Sequence, residues 1–267
     1  MGKVSKKELE RRKNTRLGEE IINKHGSKMK IIEYNHYDDI TVEFEDGYTE
    51  KCRYDTFKRG GVLNWSDKFV LGIGYKGKGK YKLKENGKAT FLYNEWHSML
   101  SRCYNKNQQL RSKTSSYADC SVCEEWHNFQ NFAKWYEDNY YDCEGENMRL
   151  DKDILVKNNK IYSPETCMII PERINILLIT GSTNNKSGYP GVDKRSENSY
   201  RARCSVTDKV NGNKVLTIAS FNNPLDAFNS YKNFKEKYIK QVADEYKDKI
   251  PQKLYEAMYR YEIEITD

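Results

Sequence analysis

Two residues in the middle of the chain offer the most pointed chemistry. Asp151 closes the run Met148-Arg149-Leu150-Asp151, and Asn175 follows about twenty-four residues later, just behind Pro171-Glu172-Arg173-Ile174. A carboxylate and an amide oxygen are both hard donors. A strand hairpin running into a helix can bring such a pair onto one Mg²⁺ or Mn²⁺ ion. An ion held there could clamp a scissile phosphate and stabilise its leaving oxygen. The plainer reading is a surface Asp beside a helix-capping Asn, and for these two residues alone it is the simpler one.

A second set lies further on. Lys194, Arg195, Tyr200, Arg201, Arg203 and Lys214 fall on β-type runs, and the stretch Lys186–Leu216 holds seven Lys/Arg against three acids. Arg suits bidentate contact with guanine, and Lys suits phosphate. The bland alternative is that charges alternate on any solvated sheet face. A third set is cysteine: Cys120-Ser121-Val122-Cys123, with Cys103, Cys143 and Cys167 elsewhere. Structural zinc normally takes two such pairs or a Cys/His pair. One pair points first to buried thiols, with zinc on Cys103, Cys120, Cys123 and Cys167 as the minority alternative. Gly72-Ile73-Gly74-Tyr75-Lys76-Gly77 formally matches GxGxxG. The dinucleotide site is rejected, because that fingerprint needs a strand before it and a helix after it. No Walker loop, GxSxG or paired-His metal motif is present.

The elements that must position these residues follow from periodicity. Lys3–Arg16 reads as a basic helix in an N-terminal arm over 1–28, with apolar periodicity too weak to pack. Residues 29–62 alternate as three or four short strands, with Asp46-Gly47 as a hairpin turn. A small β module, barrel-like and similar to Src-homology-three-like modules, is expected there. Residues 63–90 form a basic linker and hairpin, with six Lys and one Glu from Lys76 to Lys88. That strap is read as a flexible hairpin and, compatibly, as a phosphate contact. Leu92, Trp96, Met99, Leu100 and Cys103 recur at helical spacing, as do Trp126, Phe129, Phe132, Ala133 and Tyr136. These aromatic stripes are core rather than cofactor pocket. Asn105–Asp119 is a polar loop and 181–187 a polar linker. Residues 148–178 read strand, loop, strand, helix. Three strands over 188–221, turning near Asn211-Gly212, precede a long helix capped by Asn222 or Asn223 with Pro224 at its first position. A helical tail, 246–267, closes the chain.

Composition bounds the function. The 267 residues carry 46 Lys+Arg against 39 Asp+Glu, a net +7 that suits a polyanionic partner. Aromatics at 13% argue against a disordered chain. No run approaches the ~18 apolar residues of a membrane span, so no membrane partner is expected. The opening Met1–Asn14 lacks the apolar core of a signal peptide, which points to a reducing cytoplasm and to cysteines outside disulfides.

The order of several blocks resembles HNH-type nucleases, in particular the bacteriophage branch related to homing endonucleases. Those blocks are Trp96, Met99 and Arg102-Cys103-Tyr104-Asn105, then Cys123-Glu124-Glu125-Trp126 with Phe129 and Phe132. Leu150-Asp151-Lys152, Pro164-Glu165-Thr166-Cys167 and Asn175 complete the series. The resemblance covers residues 91–180. It implies a ββα domain, a divalent metal on Asp151 and Asn175, and double-stranded DNA as substrate. In the active family a His follows the Asp and serves as general base; here Lys152 stands in that place. A lysine is protonated at neutral pH unless its pKa is strongly depressed, so it holds a phosphate better than it deprotonates water. Two readings stand: a variant nuclease with Asp151, Lys152 and Asn175 as its catalytic residues, or a nuclease fold that has kept only binding.

The segment 186–245 resembles the plant ethylene-response-factor DNA-binding domain. Tyr189-Pro190-Gly191-Val192, Tyr200-Arg201-Ala202, Phe221, Ala227-Phe228 and Tyr231 carry the likeness. It implies a three-stranded sheet laid in the major groove with one helix behind it. The fold expected is therefore α+β: a small β module, an HNH-like ββα domain, and a C-terminal three-stranded sheet with one packed helix. The function expected is phage-type, site-selective DNA cleavage in the cytoplasm of a bacterial host. The alternative is a disarmed DNA binder or an inhibitor docking on a host defence protein.

Overall fold

A computed structural model describes residues 5–111, 119–179, 186–208 and 212–267. The expected helix residues Lys3 and Val4, residues 112–118 of the Asn105–Asp119 loop, 181–185 of the linker and the turn residue Asn211 lie outside these; the described start of that loop is corrected to a helix, Lys106–Arg111. The fold is mixed α+β and divides into two compact units, Met1–Glu137 and Asp138–Asp267. The division falls within 91–180, so the helices of that stretch belong to the first unit and its strand pair with the following helix to the second.

In the first unit, α1 (Lys6–Arg16) starts at Ser5, whose hydroxyl accepts the Glu8 N–H at 3.3 Å. Although no residue of α1 is fully buried, the helix is docked. Leu9 packs on the neighbouring core, and the Arg16 guanidinium sits 3.8 Å from the Tyr54 ring centre and donates to Tyr34 Oη at 2.6 Å. Strands β1 (Glu20–Ile22), β2 (Lys28–His36), β3 (Asp39–Phe44) and β4 (Thr49–Cys52) form one antiparallel sheet in that order. The expected barrel is corrected here: the sheet stays open. Closure needs tilted, staggered strands of matched length, and the outer strands have only three and four residues. One face buries Met29, Ile31, Tyr34, Ile40, Val42 and Phe44. A register shift between Ile31 and Glu33 moves β2 by one residue, so Tyr34 rather than Glu33 meets the core. Helix α2 (Tyr54–Lys58) adds Phe57 to it.

The connector after Gly61 is tied back by a buried carboxylate. Asp67 accepts from Asn23 Nδ2 at 2.6 Å, Ser27 Oγ at 2.5 Å and the Asn64 N–H at 2.7 Å. A two-residue hairpin, β5 (Lys84–Glu85) and β6 (Lys88–Ala89), leads to α3 (Phe91–Tyr104), which Thr90 caps. Then come α4 (Lys106–Arg111), β7 (Ser121–Val122), a 3₁₀ turn over Glu124–His127, and α5 (Phe129–Asn139). Trp96, Met99 and Leu100 of α3 and Phe129, Phe132 and Ala133 of α5 are wholly buried, as their spacing predicts. Trp96 lies 5.4 Å from Phe129 ring to ring, and its indole N–H donates to the Trp126 carbonyl at 2.7 Å.

The second unit contains β8 (Met148–Asp151), β9 (Ile161–Tyr162), β10 (Met168–Pro171) and α6 (Glu172–Leu178). Strands β11 (Val192–Ser196), β12 (Ser199–Asp208) and β13 (Gly212–Phe221) follow and make an antiparallel sheet. Helix α7 (Pro224–Glu245) packs across all three, and α8 (Gln252–Tyr259) packs on α7. Asn223 is the cap of α7, accepting from Leu225 N at 2.8 Å and Asp226 N at 3.2 Å, with Pro224 at the first position. Val192, Ala202 and Cys204 are buried on the helix side, as are Ala227, Phe228 and Tyr231 of α7. Gly191 has φ +67°, and a Cβ there would stand 2.2 Å from the Tyr231 ring. Only glycine lets the chain turn into β11 that close to the helix.

Candidate functional site

Asp151 and Asn175 lie on one strand–strand–helix unit. In the β8–β10 ladder Asp151 faces Met168, and Met148 faces Pro171. The helix α6 follows Pro171 directly and packs on both strands. Asp151 thus ends the ladder opposite the point where the helix begins, and Asn175 is the fourth helical residue, half-buried. The two side chains do not hydrogen-bond each other. Oδ1 of Asp151 accepts the N–H groups of Asp153 at 2.9 Å and Ile154 at 2.7 Å, an Asx-type turn out of the strand. Oδ2 of Asp151 and the amide of Asn175 make no hydrogen bond among the described residues. Burial pushes the Asp151 carboxyl up, outweighing the two N–H donors that favour its charged form.

Lys152 does something sequence reasoning did not foresee. It is 6% exposed, and its ammonium donates to Asp153 Oδ1 and Oδ2 at 2.7 and 2.6 Å and to the Asn159 carbonyl at 2.8 Å. Asn159 answers through its amide, which donates to the Lys152 carbonyl at 2.9 Å and the Ile161 carbonyl at 2.6 Å. Lys152 and Asn159 staple the loop between β8 and β9 shut. The amine is therefore turned into the protein, onto acceptors of its own loop.

Among the described residues no group of three or more His, Cys, Asp and Glu side chains is placed to hold a metal. Cys103, Cys120 and Cys167 are buried and Cys123 half-buried. The chemistry of Asp151 and Asn175 does fit a hard divalent cation. Both offer oxygen, and a desolvated carboxylate gains from a cation beside it.

Period-two alternation sorts the six candidate DNA-contact residues. Ala202 and Cys204 face α7, so Arg201 and Arg203 point to the opposite, open face. They are not loose there. Asp193 on β11 pairs with Arg201 across the ladder and binds both guanidinium groups, Arg201 Nη2 at 3.0 Å and Arg203 Nη2 at 2.7 Å. Burial alone would raise the Asp193 carboxyl, but hydrogen bonds from Arg201 and Arg203 win and hold it below the usual range. Ser205, Val215, Thr217 and Ser220 complete a solvent-facing surface of small side chains. Tyr200 and Lys194 pair with each other on the helix-side parity, as Lys214 does with Val206. Lys194, Arg195 and Lys214 are exposed. Asp193 went unnoticed in the sequence, although its place opposite Arg201 was open to the alternation argument.

No protein-family model, no curated protein and no solved structure matches this chain. Among the described residues no helix is long and apolar enough to cross a membrane.

Proposed function

We propose that this protein binds double-stranded DNA through the open face of β11–β13 and is a phage-type, HNH-like endonuclease in design. The observation that supports DNA binding best is the Arg201–Asp193–Arg203 constellation. Two guanidinium groups are held in fixed orientation on a sheet face of small side chains, with the helix on the other side. A fixed fork is what bidentate guanine recognition requires, and orienting it before binding lowers the ordering cost of contact. This is also the arrangement that the likeness to the ethylene-response-factor domain implies.

For cleavage, Asp151 and Asn175 are the residues that would hold Mg²⁺ or Mn²⁺. When bound, such an ion supplies Lewis-acid polarisation of the scissile phosphate. Asp151 is positioned by its own turn, with Oδ1 fixed by two N–H groups and Oδ2 left for an ion. Lys152 takes no part as base or clamp, because its ammonium is committed to Asp153 and Asn159. That same observation favours a second reading, in which the hairpin and helix persist as a scaffold and the protein only binds, to DNA or to a host protein.

A supercoiled-plasmid assay with Mg²⁺ or Mn²⁺ separates the two. Nicking by the wild type that Asp151→Ala abolishes supports the endonuclease. Duplex binding without cutting under either metal leaves the binder. Failure to bind any duplex, with folding intact, overturns both DNA readings.

A further inference from the structure

The lysine-rich segment between Lys76 and Ala89 is a built surface rather than a loose hairpin. Its backbone lies on the start of α5. Gln130, 6% exposed, donates to the Lys76 carbonyl at 3.2 Å and the Tyr81 carbonyl at 2.9 Å, and accepts the Tyr81 N–H at 2.9 Å. Tyr75 is bonded on both sides, its N–H to the His127 carbonyl at 2.9 Å and its carbonyl to the Phe129 N–H at 3.0 Å. At the far end Thr90 caps α3 while its hydroxyl donates to the Lys82 carbonyl at 2.9 Å. Two of the glycines that resemble a nucleotide fingerprint, Gly74 and Gly77, serve this docking together with Gly79. A Cβ on Gly77 would meet Asn128 Oδ1 at 1.9 Å, one on Gly79 would meet Gln130 Oε1 at 2.3 Å, and one on Gly74 would meet Leu100 at 2.6 Å.

The anchored strap displays Lys78, Lys80, Lys82, Lys84 and Lys88 to solvent. Lys76 is withdrawn from this set by its pairing with Glu50 at 2.6 Å. Lys80 is shared with Glu137 and Lys82 with Glu85, whereas Lys78, Lys84 and Lys88 have no ion-pair partner among the described residues. Lys78 rests over the Trp65 ring at 4.7 Å. Five exposed cations on a fixed backbone, with glycines between some of them, suit a regular row of negative charge.

We propose that this strap is a second nucleic-acid contact, binding the phosphodiester backbone of duplex DNA without regard to sequence. The inference rests on the DNA-binding reading and adds a site in the other unit of the chain. Lysines that neutralise phosphates release counterions, so log Kobs falls with log salt by about 0.9 per neutralised phosphate. The triple substitution Lys78→Gln, Lys84→Gln, Lys88→Gln, made in the full chain, leaves up to three phosphates without their lysine. Its slope should flatten by about 0.9 for each such phosphate, and its affinity at 0.1 M salt should fall roughly eightfold for each, relative to 1 M.

The measurement is fluorescence anisotropy on a random-sequence duplex across a salt series, with circular dichroism to show that the fold is kept. Preference between two duplex sequences should be unchanged in the Gln variant, and Lys78→Arg, Lys84→Arg, Lys88→Arg should restore both slope and affinity. If the Gln variant keeps the wild-type slope and affinity while Arg201→Ala with Arg203→Ala loses binding, the strap proposal is overturned and the sheet-face reading survives. If the wild type binds no duplex, both fall together.

Discussion

Asp193→Asn gives the sharpest test of the sheet face, because stability and selectivity should fall while affinity for random duplex rises. The carboxylate touches two guanidinium groups, but the side chains are 26% exposed at Arg201, 40% at Arg203 and 29% at Asp193. Pairs this open to water are worth about 0.2–1 kcal/mol each, so the stability loss should stay near 1 kcal/mol. Its pH window is set by the lowered carboxyl. That contribution is present above the unfolded value of about 4 and is lost as pH falls through the lower folded value, so wild type and variant should converge in acid. Recognition behaves differently. The substitution removes one negative charge from the face proposed to meet phosphates, so binding to random duplex should tighten at low salt. At the same time both guanidinium groups lose the partner that aims them. A well-aimed bidentate contact discriminates by about 1–3 kcal/mol, roughly a factor of five to over a hundred. The ratio of selected to random affinity should therefore fall several-fold. The assay is anisotropy on a site-selected duplex and a random duplex of equal length. A variant that weakens on both duplexes by the same factor would refute the argument that Asp193 orients rather than merely neutralises.

Other substitutions probe the remaining links. Arg201→Ala with Arg203→Ala should cost far more specific affinity than Lys214→Ala, since Lys214 lies off the open face; titrations on the selected duplex decide. Gly191→Ala should destabilise by several kcal/mol, combining positive φ with the Tyr231 clash, and a thermal melt lowered by only a degree or two would contradict that. Asp151→Asn keeps the acceptor for the turn and removes a desolvated charge. A raised folded pKa means the wild type loses stability as pH rises through the window above the unfolded value, so the variant should have the higher urea midpoint at pH 7 and no advantage well below pH 4. Mg²⁺ or Mn²⁺ should raise the melting temperature of the wild type and leave Asp151→Asn unmoved.

The sequence carried the elements well where one period dominated. The aromatic stripes of α3 and α5 are core because i, i+3, i+4 spacing leaves those rings no other place. The start of α7 was legible because Asn223-Pro224 satisfies two N–H groups and presets the first φ. What failed depends on partners far apart in the chain. Whether four short strands close is settled by their edges, and β1 and β4 are too short for that. The arm whose apolar periodicity reads as too weak to pack is held by Leu9 and by Arg16 on two tyrosines, interactions with no local signature. Grouping Tyr200 with Arg201 and Arg203 ignored alternation, which puts neighbouring residues on opposite faces. The reason for the glycine motif, close passage of Gly74 over Leu100 and of Gly77 over Asn128, needed the fold.

Lys152 shows how a single position can be read oppositely from two levels. By the resemblance in residue order it would stand where HNH nucleases place a general base, and the question becomes what a lysine could do to a phosphate. By geometry it answers a structural need. The stretch from Lys152 to Asn159 must leave β8 and return to β9, and its backbone polar groups need partners. Asp151 turns the chain with Oδ1, Lys152 ties Asp153 and the Asn159 carbonyl, and Asn159 returns two bonds. Replacing that lysine by histidine would therefore do two things at once: supply an imidazole and break the staple. A histidine reaches less far and carries at most two N–H donors, so it cannot hold both Asp153 oxygens and the Asn159 carbonyl. The staple is worth about 1–3 kcal/mol, less than a fully buried pair because Asp153 is 47% exposed. Lys152→His should consequently lower the melting temperature, even if it gained metal-dependent nicking. Nicking gained by Lys152→His and lost again on adding Asp151→Ala would mark a scaffold still arranged for hydrolysis. No nicking, with the fold retained, would mean that the loop has been rebuilt around the lysine and holds only structure.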